Sequence, residues 1–297
     1  MAAASTVSIA RAAEPAGQHP PPAYRRRLWP WPGPLPGFGL SLGVALLWLG
    51  LIVLLPLSAL AARPWTLGLQ GVLDSLADPR VLAALRLSFL SALAAAAVNV
   101  PIGLLLAWVM VRENFPGRRW LDAAIDLPFA LPTAVAGLAL TALYAPNGWL
   151  GAPLAAVGLK VAYTPLGIGV AMLFVGLPFV VRSVEPVLRD LPREAEEAAA
   201  TLGADGLQTW WQVILPALLP ALLAGFAMAF ARAVGEYGSV IFIAGNRPMV
   251  SEIAPLLIVV RLEQFDYAGA SAVGLAMLVL AFIILLALNL LQRRNRG

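Results

Sequence analysis

The run LSFLSALAAAAVNVPIGLLLAWVMV, residues 87–111, contains no charged side chain. As a helix rising about 1.5 Å per residue, it is long enough to cross a hydrocarbon layer roughly 30 Å thick, which takes about 20 apolar residues. Five more uncharged stretches share this character, at 28–62, 127–159, 161–181, 206–231 and 267–292. They predict an all-α membrane protein with six transmembrane helices near 39–61, 83–111, 122–145, 165–187, 213–243 and 268–291. The composition agrees. Of 297 residues, 60% are hydrophobic and 12% charged, and mean hydropathy is +0.83. A soluble fold needs about a quarter charged residues to cover its surface.

Several chemistries are excluded at once. There is no cysteine and one histidine, His19. Disulfide scaffolds, thiol catalysis and His-rich metal sites are therefore out of reach. The one lysine, Lys160, is followed by Val161, whereas a phosphate-cradling P-loop requires Gly-Lys followed by Ser or Thr. Any ATP and Mg used by this protein is expected on another chain, and no cofactor on this one.

The isoelectric point near 10.0 raises the question of nucleic acid, and the placement of the arginines answers it. With the N-terminus inside, thirteen basic residues fall in inner segments (Arg112, Arg118, Arg119, Arg182, Arg189 and Arg193 among them). Five fall in outer segments, namely Arg63, Arg80, Lys160, Arg247 and Arg261, and Arg86 and Arg232 lie within helices. This positive-inside bias predicts that both termini are cytoplasmic and that the arginines signal topology, so no nucleic-acid partner is expected. Arg86 reads as a helix-end residue snorkelling to the outer interface. Trp29, Trp65, Trp120, Trp149, Trp210 and Trp211 stand near span ends, as interfacial anchors do.

Residues 1–38 hold eight of the 25 prolines and read as a disordered cytoplasmic tail. The membrane-spanning domain would be 39–292, and 293–297 a basic tail. The small-residue tract 58–62 resembles a signal-peptide cleavage site, but the apolar run before it exceeds the 7–15 residues of a signal core. Pro101, Pro128, Pro132, Pro178, Pro216 and Pro220 fall in or at the ends of the spans, where each removes a backbone donor and tends to kink its helix.

The segment between the fourth and fifth spans is the most polar of the chain. It reads RDLPREAEEAAATLG over 189–203. Asp190 can cap a helix that accepts Pro192 in its first turn, and Gly203 can end it in a left-handed cap. Ala195, Ala198, Ala199 and Leu202 recur at i, i+3, i+4 and i+7 as a small-residue face, beside Glu194, Glu197 and Thr201. Such a helix offers a partner close approach and charge, although an ordinary solvated helix has the same periodicity.

Glu197-Ala198-Ala199, then Gly203, then Val213-Ile214-Leu215-Pro216 resembles the EAA signature of ABC importer permeases, with Val213 in place of the usual isoleucine. More of the chain is similar to the sulfate/thiosulfate permeases of the CysT (CysU) type. The similarity includes residues 115–119, 126–137, 144–151, 230–246 and 251–266, and covers roughly 35–292 overall. It implies a type I ABC importer permease fold in a bacterial inner membrane. It also implies an ATPase-coupling loop at about 190–216, containing Glu194, Glu197, Ala198, Ala199, Leu202, Gly203, Leu215 and Pro216. The implied partners are a second permease of the CysW type, a cytoplasmic ATPase dimer of the CysA type and a periplasmic sulfate/thiosulfate-binding protein. Molybdate permeases share part of 232–238, so molybdate or tungstate import is the alternative.

Arg232 and Glu236 stand four residues apart in the fifth span and can pair. An arginine facing lipid at the bilayer centre costs at least about 2.5 kcal/mol, so Arg232 should face protein or a cavity. Together with Tyr237 and Ser239 it marks a candidate translocation pathway. A purely structural pair locking two spans fits the spacing equally well. Asp126, near the start of the third span, reads as a structural residue that caps its helix or pairs with inner arginines, Glu185 as lying close to the inner surface, and 251–264 as a short outer helix with Pro255 in its first turn. An intramembrane enzyme would need converging Asp, His or Ser groups within the spans, where the ionisable set is little more than Arg232 and Glu236, and a scaffold working without ATP would have no use for the coupling loop.

Overall fold

A computed structural model describes residues 38–294. The first element is a helical run, α1, at Phe38–Ala77. It passes through a π turn at Gly50–Leu54 and a tighter 3-10 turn at Arg63–Leu67. Its part up to Leu55 belongs to one compact unit and buries no residue. Everything from Pro56 onward forms the second unit.

Within that unit the order is α2 (Pro79–Arg112), α3 (Arg118–Ala130), α4 (Thr133–Tyr144), α5 (Gly151–Ala156) and α6 (Pro165–Asp190). There follow α7 (Arg193–Thr201), α8 (Gly206–Val234), α9 (Val240–Ile243), α10 (Ala254–Glu263) and α11 (Tyr267–Arg294). Five of these helices are long and apolar enough to cross a membrane, or six if the bent pair α3–α4 is one span.

Three helices, α2, α6 and α8, make the core, with α6 the most enclosed. Lipid supplies no hydrophobic drive between helices, so close packing at small residues and a few interhelical hydrogen bonds must hold them. Both are present. A Cβ on Gly103 of α2 would lie 2.7 Å from Val180 Cγ1 of α6, and one on Gly225 of α8 would lie 2.9 Å from Val180 Cα. Buried Asn99 of α2 donates from Nδ2 to the Leu173 carbonyl of α6 at 3.2 Å, one turn before Gly176. The two backbones therefore approach on both sides of Pro101, whose missing donor α2 absorbs without breaking.

The predicted boundaries need three corrections. The first α-helical run ends at Ala62, close to the predicted 61, and a 3-10 turn at Arg63–Leu67 and Gly68 at φ 72° separate it from a further helix that reaches Ala77. The third is broken: Leu131 is extended (φ −84°, ψ 134°) because Pro132 disfavours the helical region for the residue before it, and α3 and α4 meet at a 115° bend. The fifth ends at Val234, not 243, because the Glu236 carboxylate accepts from the backbone N–H and the Oγ of Ser239, both at 2.9 Å. That local bond competes with the helix. Asp190 does not cap α7; it is the last residue of α6, and Pro192 takes the cap position with no side-chain bond.

Proline has a further local effect. In α8 a π turn at Trp210–Ile214 precedes Pro216 by two residues, as Gly50–Leu54 precedes Pro56. Widening the turn relieves the clash between the proline ring and the carbonyl four residues back. Among the tryptophans, Trp65, Trp120, Trp149 and Trp211 are exposed. Trp210 is packed edge-on against Trp108 with ring centroids 5.0 Å apart, so it is a core contact and not an anchor. Trp29 and the tail 1–37 lie outside the described residues. Arg86 is exposed in the second turn of α2.

Replacing Gly225 with leucine drives a side chain into the α6 backbone. Overpacking of this kind costs about 1–3 kcal/mol. The expected result is a lower thermal unfolding midpoint for the detergent-purified protein and less protein in the membrane, with Gly225→Ala milder than Gly225→Leu.

Candidate functional site

α7 begins where Pro192 stops α6 and ends in a Schellman motif. Gly203 has φ 88°, its N–H donates to the Ala200 carbonyl at 3.0 Å, and the Ala204 N–H donates to the Ala199 carbonyl at 3.0 Å. The left-handed conformation at Gly203 reverses the chain. Asp205 then starts α8 with a capping box: its Oδ1 accepts from the Gln208 N–H at 2.7 Å and its own N–H donates to Gln208 Oε1 at 3.0 Å. Between the two helices lies a concavity of about 510 Å³, lined by Ala195, Ala198, Ala199, Leu202, Gly203 and Val213 among others.

The predicted small-residue face therefore lines one hollow. Leu202 is 89% exposed at its rim, an unusual position for a large apolar side chain outside the membrane spans. Glu194 and Glu197 are exposed and form no ion pair among the described residues. Leu215 and Pro216 open the straight part of α8.

The strongest tie on α7 was not legible in the sequence. Arg112, the last residue of α2, places Nη2 2.6 Å from Glu196 Oε1. Its side chain is 10% exposed, and its guanidinium also lies 5.7 Å from the Trp108 ring centroid. Trp108 in turn meets Trp210 at the start of α8. One turn of α2 thus grips the segment on both sides of Gly203. Residues 112 and 196 are 84 positions apart, and nothing in the local pattern links them.

A second charge cluster joins α3 to α6. Arg182 bonds Asp122 through Nη2 at 2.7 Å, Asp126 through Nε and Nη2 at 3.0 and 2.7 Å, and Glu185 through Nη1 at 2.7 Å. Glu185 also accepts from Arg189. Of the two roles open to Asp126, it takes the pairing one, and Glu185 joins the same cluster, which the sequence did not indicate.

Arg232, Glu236, Tyr237 and Ser239 come together at the opposite end of α8. Arg232 Nη1 is 2.6 Å from Glu236 Oε2, and Glu236 is 2% exposed. Both Glu236 oxygens are occupied, one by Arg232 and the other by Ser239. Arg232 is 35% exposed, and among the described residues its other nitrogens have no hydrogen-bond or ion-pair partner. This turn sits against α4, the second arm of the bent pair. A Cβ on Gly137 of α4 would lie 2.7 Å from Ser239 Cα, and one on Gly238 would lie 3.0 Å from Thr133 Cβ. The sequence tracts 126–137 and 230–246 are therefore pressed together. Tyr237 is half-buried beside them.

Residues 99–297 match the family described as the inner membrane component of binding-protein-dependent transport systems. The chain belongs to this family. It is 51% identical over 258 residues to the Sulfate transport system permease protein CysT of Salmonella typhimurium, covering 87% of this chain and 93% of that one. It is 49% identical over 253 residues to the protein of the same name in Synechocystis sp., covering 85% and 88%. Among solved structures, it resembles a bacterial ABC transporter involved in the import of the acidic polysaccharide alginate. The TM-score is 0.70 with 16% identity, over 86% of this chain and 94% of that one. That likeness shows the fold. A multi-pass inner-membrane protein follows from family membership and from the apolar helices together.

For this family member the Glu236 carboxylate is expected to be structurally demanding. Glu236→Ala leaves Arg232 and two Ser239 donors without their acceptor, a loss on the order of 3 kcal/mol. Glu236→Gln retains an acceptor for Ser239 and should lose less. Thermal unfolding of the purified variants in detergent checks the order.

Proposed function

We propose that this chain is the membrane-spanning permease subunit of an ATP-driven ABC importer that moves sulfate or thiosulfate into the cytoplasm. The geometry that carries the reading is α7, a short helix outside the spans that presents a small-residue hollow, an exposed Leu202 and two exposed glutamates, Glu194 and Glu197. Relatives near 50% identity are named for sulfate transport, which favours sulfate over the molybdate or tungstate alternative.

The finer assignments follow from the same reading. α3 and α4 are one broken span, giving six crossings with both termini cytoplasmic. The ion pairs support this alternation. Arg112–Glu196 and Arg182–Asp122 join segments assigned to the inner side, while Arg80–Glu252 and Arg261–Asp78 join segments assigned to the outer side. A second permease of the CysW type pairs with this one, a CysA-type ATPase dimer binds ATP and Mg and docks on α7, and a periplasmic binding protein delivers the anion. This chain binds no cofactor and breaks no bond. Arg232, held at one nitrogen by Glu236, offers its remaining donors to a passing dianion, with Tyr237 and Ser239 beside it.

Three measurements test this. Labelled sulfate uptake should return to a deletion strain on expression of this chain, with molybdate uptake unchanged. Gly203→Val should abolish uptake at wild-type abundance, because a β-branched residue resists positive φ. Arg232→Ala should lower uptake at least about tenfold, the effect of losing one charge-assisted contact of about 1.5–3 kcal/mol. Normal uptake by Arg232→Ala at wild-type abundance removes Arg232 from the pathway.

A further inference from the structure

α2 is fastened at both of its ends by an arginine–glutamate pair. At one end Arg112 holds Glu196 of α7 at 2.6 Å. At the other, Arg80 Nε and Nη2 each lie 2.7 Å from a Glu252 oxygen, a bidentate fork onto a carboxylate that is 2% exposed. Two residues on, the Ala254 N–H that opens α10 donates to the Oγ of Ser88 of α2 at 2.8 Å. Arg80 and Arg112 are separated by about 48 Å of helix at 1.5 Å per residue.

The helix between them is braced where it is weakest. Asn99 and Gly103, on either side of Pro101, are both engaged by α6. α7, in contrast, has little else to fix it. It has no side-chain N-cap, and at nine residues it is too short to be stable alone. Among the described residues, its one ion pair to another helix is the one with Arg112.

We infer that α2 is the rod that carries displacement of α7 to the Ser251–Ala254 segment at the opposite end, with Arg112–Glu196 and Arg80–Glu252 as its two terminal couplings. These are positioning residues: they touch neither nucleotide nor anion and act through α7 and α10. The inference rests on the reading of α7 as the ATPase-docking segment.

The test uses the complex purified from its native membrane and reconstituted in liposomes, reading sulfate imported per ATP hydrolysed at equal complex content. Glu196→Gln and Glu252→Gln are each expected to lower this ratio at least about fivefold. Because both act on one rod, the double variant should be no worse than the poorer single. Exchanging the charges, Arg112→Glu with Glu196→Arg, should restore the ratio. An unchanged ratio in Glu252→Gln overturns the inference, as do losses that multiply in the double variant. A purified complex without a nucleotide-hydrolysing chain defeats the importer reading itself, and that is seen before any variant is made.

Discussion

A charge taken out of water must meet an opposite charge or retreat to an interface. That constraint organises this protein more than any single apolar contact. Its buried glutamates are matched: Glu185 by Arg182 and Arg189, Glu236 by Arg232, Glu252 by Arg80. The pairs at Glu185 and Glu236 are local, but Arg80–Glu252, like Arg182–Asp122 and Arg112–Glu196, fixes an element that hydrophobicity alone leaves free, since in lipid a leucine gains nothing by preferring a neighbouring helix to an acyl chain. The apolar faces say that helices cross; the paired charges say which ends meet.

The core obeys a different economy. Where α2, α6 and α8 cross, side chains are removed instead of interdigitated, so that Val180 packs on two glycines from two helices. Close backbones make a stiff centre. The segments proposed to carry function lie beyond it, α7 after the last turn of α6 and the Glu236–Ser239 turn after the last turn of α8.

Much of this was legible in the sequence, because spans announce themselves by length and absence of charge. The local structure of 193–203 was legible too: Gly203 ends its helix as the residue type demands, and Ala195, Ala198, Ala199 and Leu202 share one hollow. The Arg232–Glu236 pair was predicted at helical spacing and forms, but across the helix end, with Arg232 in the last turn of α8 and Glu236 beyond it. Periodicity could not reveal that, since Ser239 competes for Glu236 through geometry specific to the turn. The α3–α4 break was half visible, Pro132 marking a boundary without giving its angle. Pairs such as Arg112–Glu196 and Arg80–Glu252, separated by 84 and 172 positions, depend on tertiary packing and leave no local trace.

The contact between Gly137 and Ser239 has a mechanical corollary. With no side chain on one partner and bare backbone on the other, the two surfaces interlock like adjoining tiles. Any flexing at the Leu131–Pro132 elbow must drag the 235–239 turn with it or part the two outright. The orientation of the Arg232 guanidinium is then geared to a bend a hundred residues earlier in the chain.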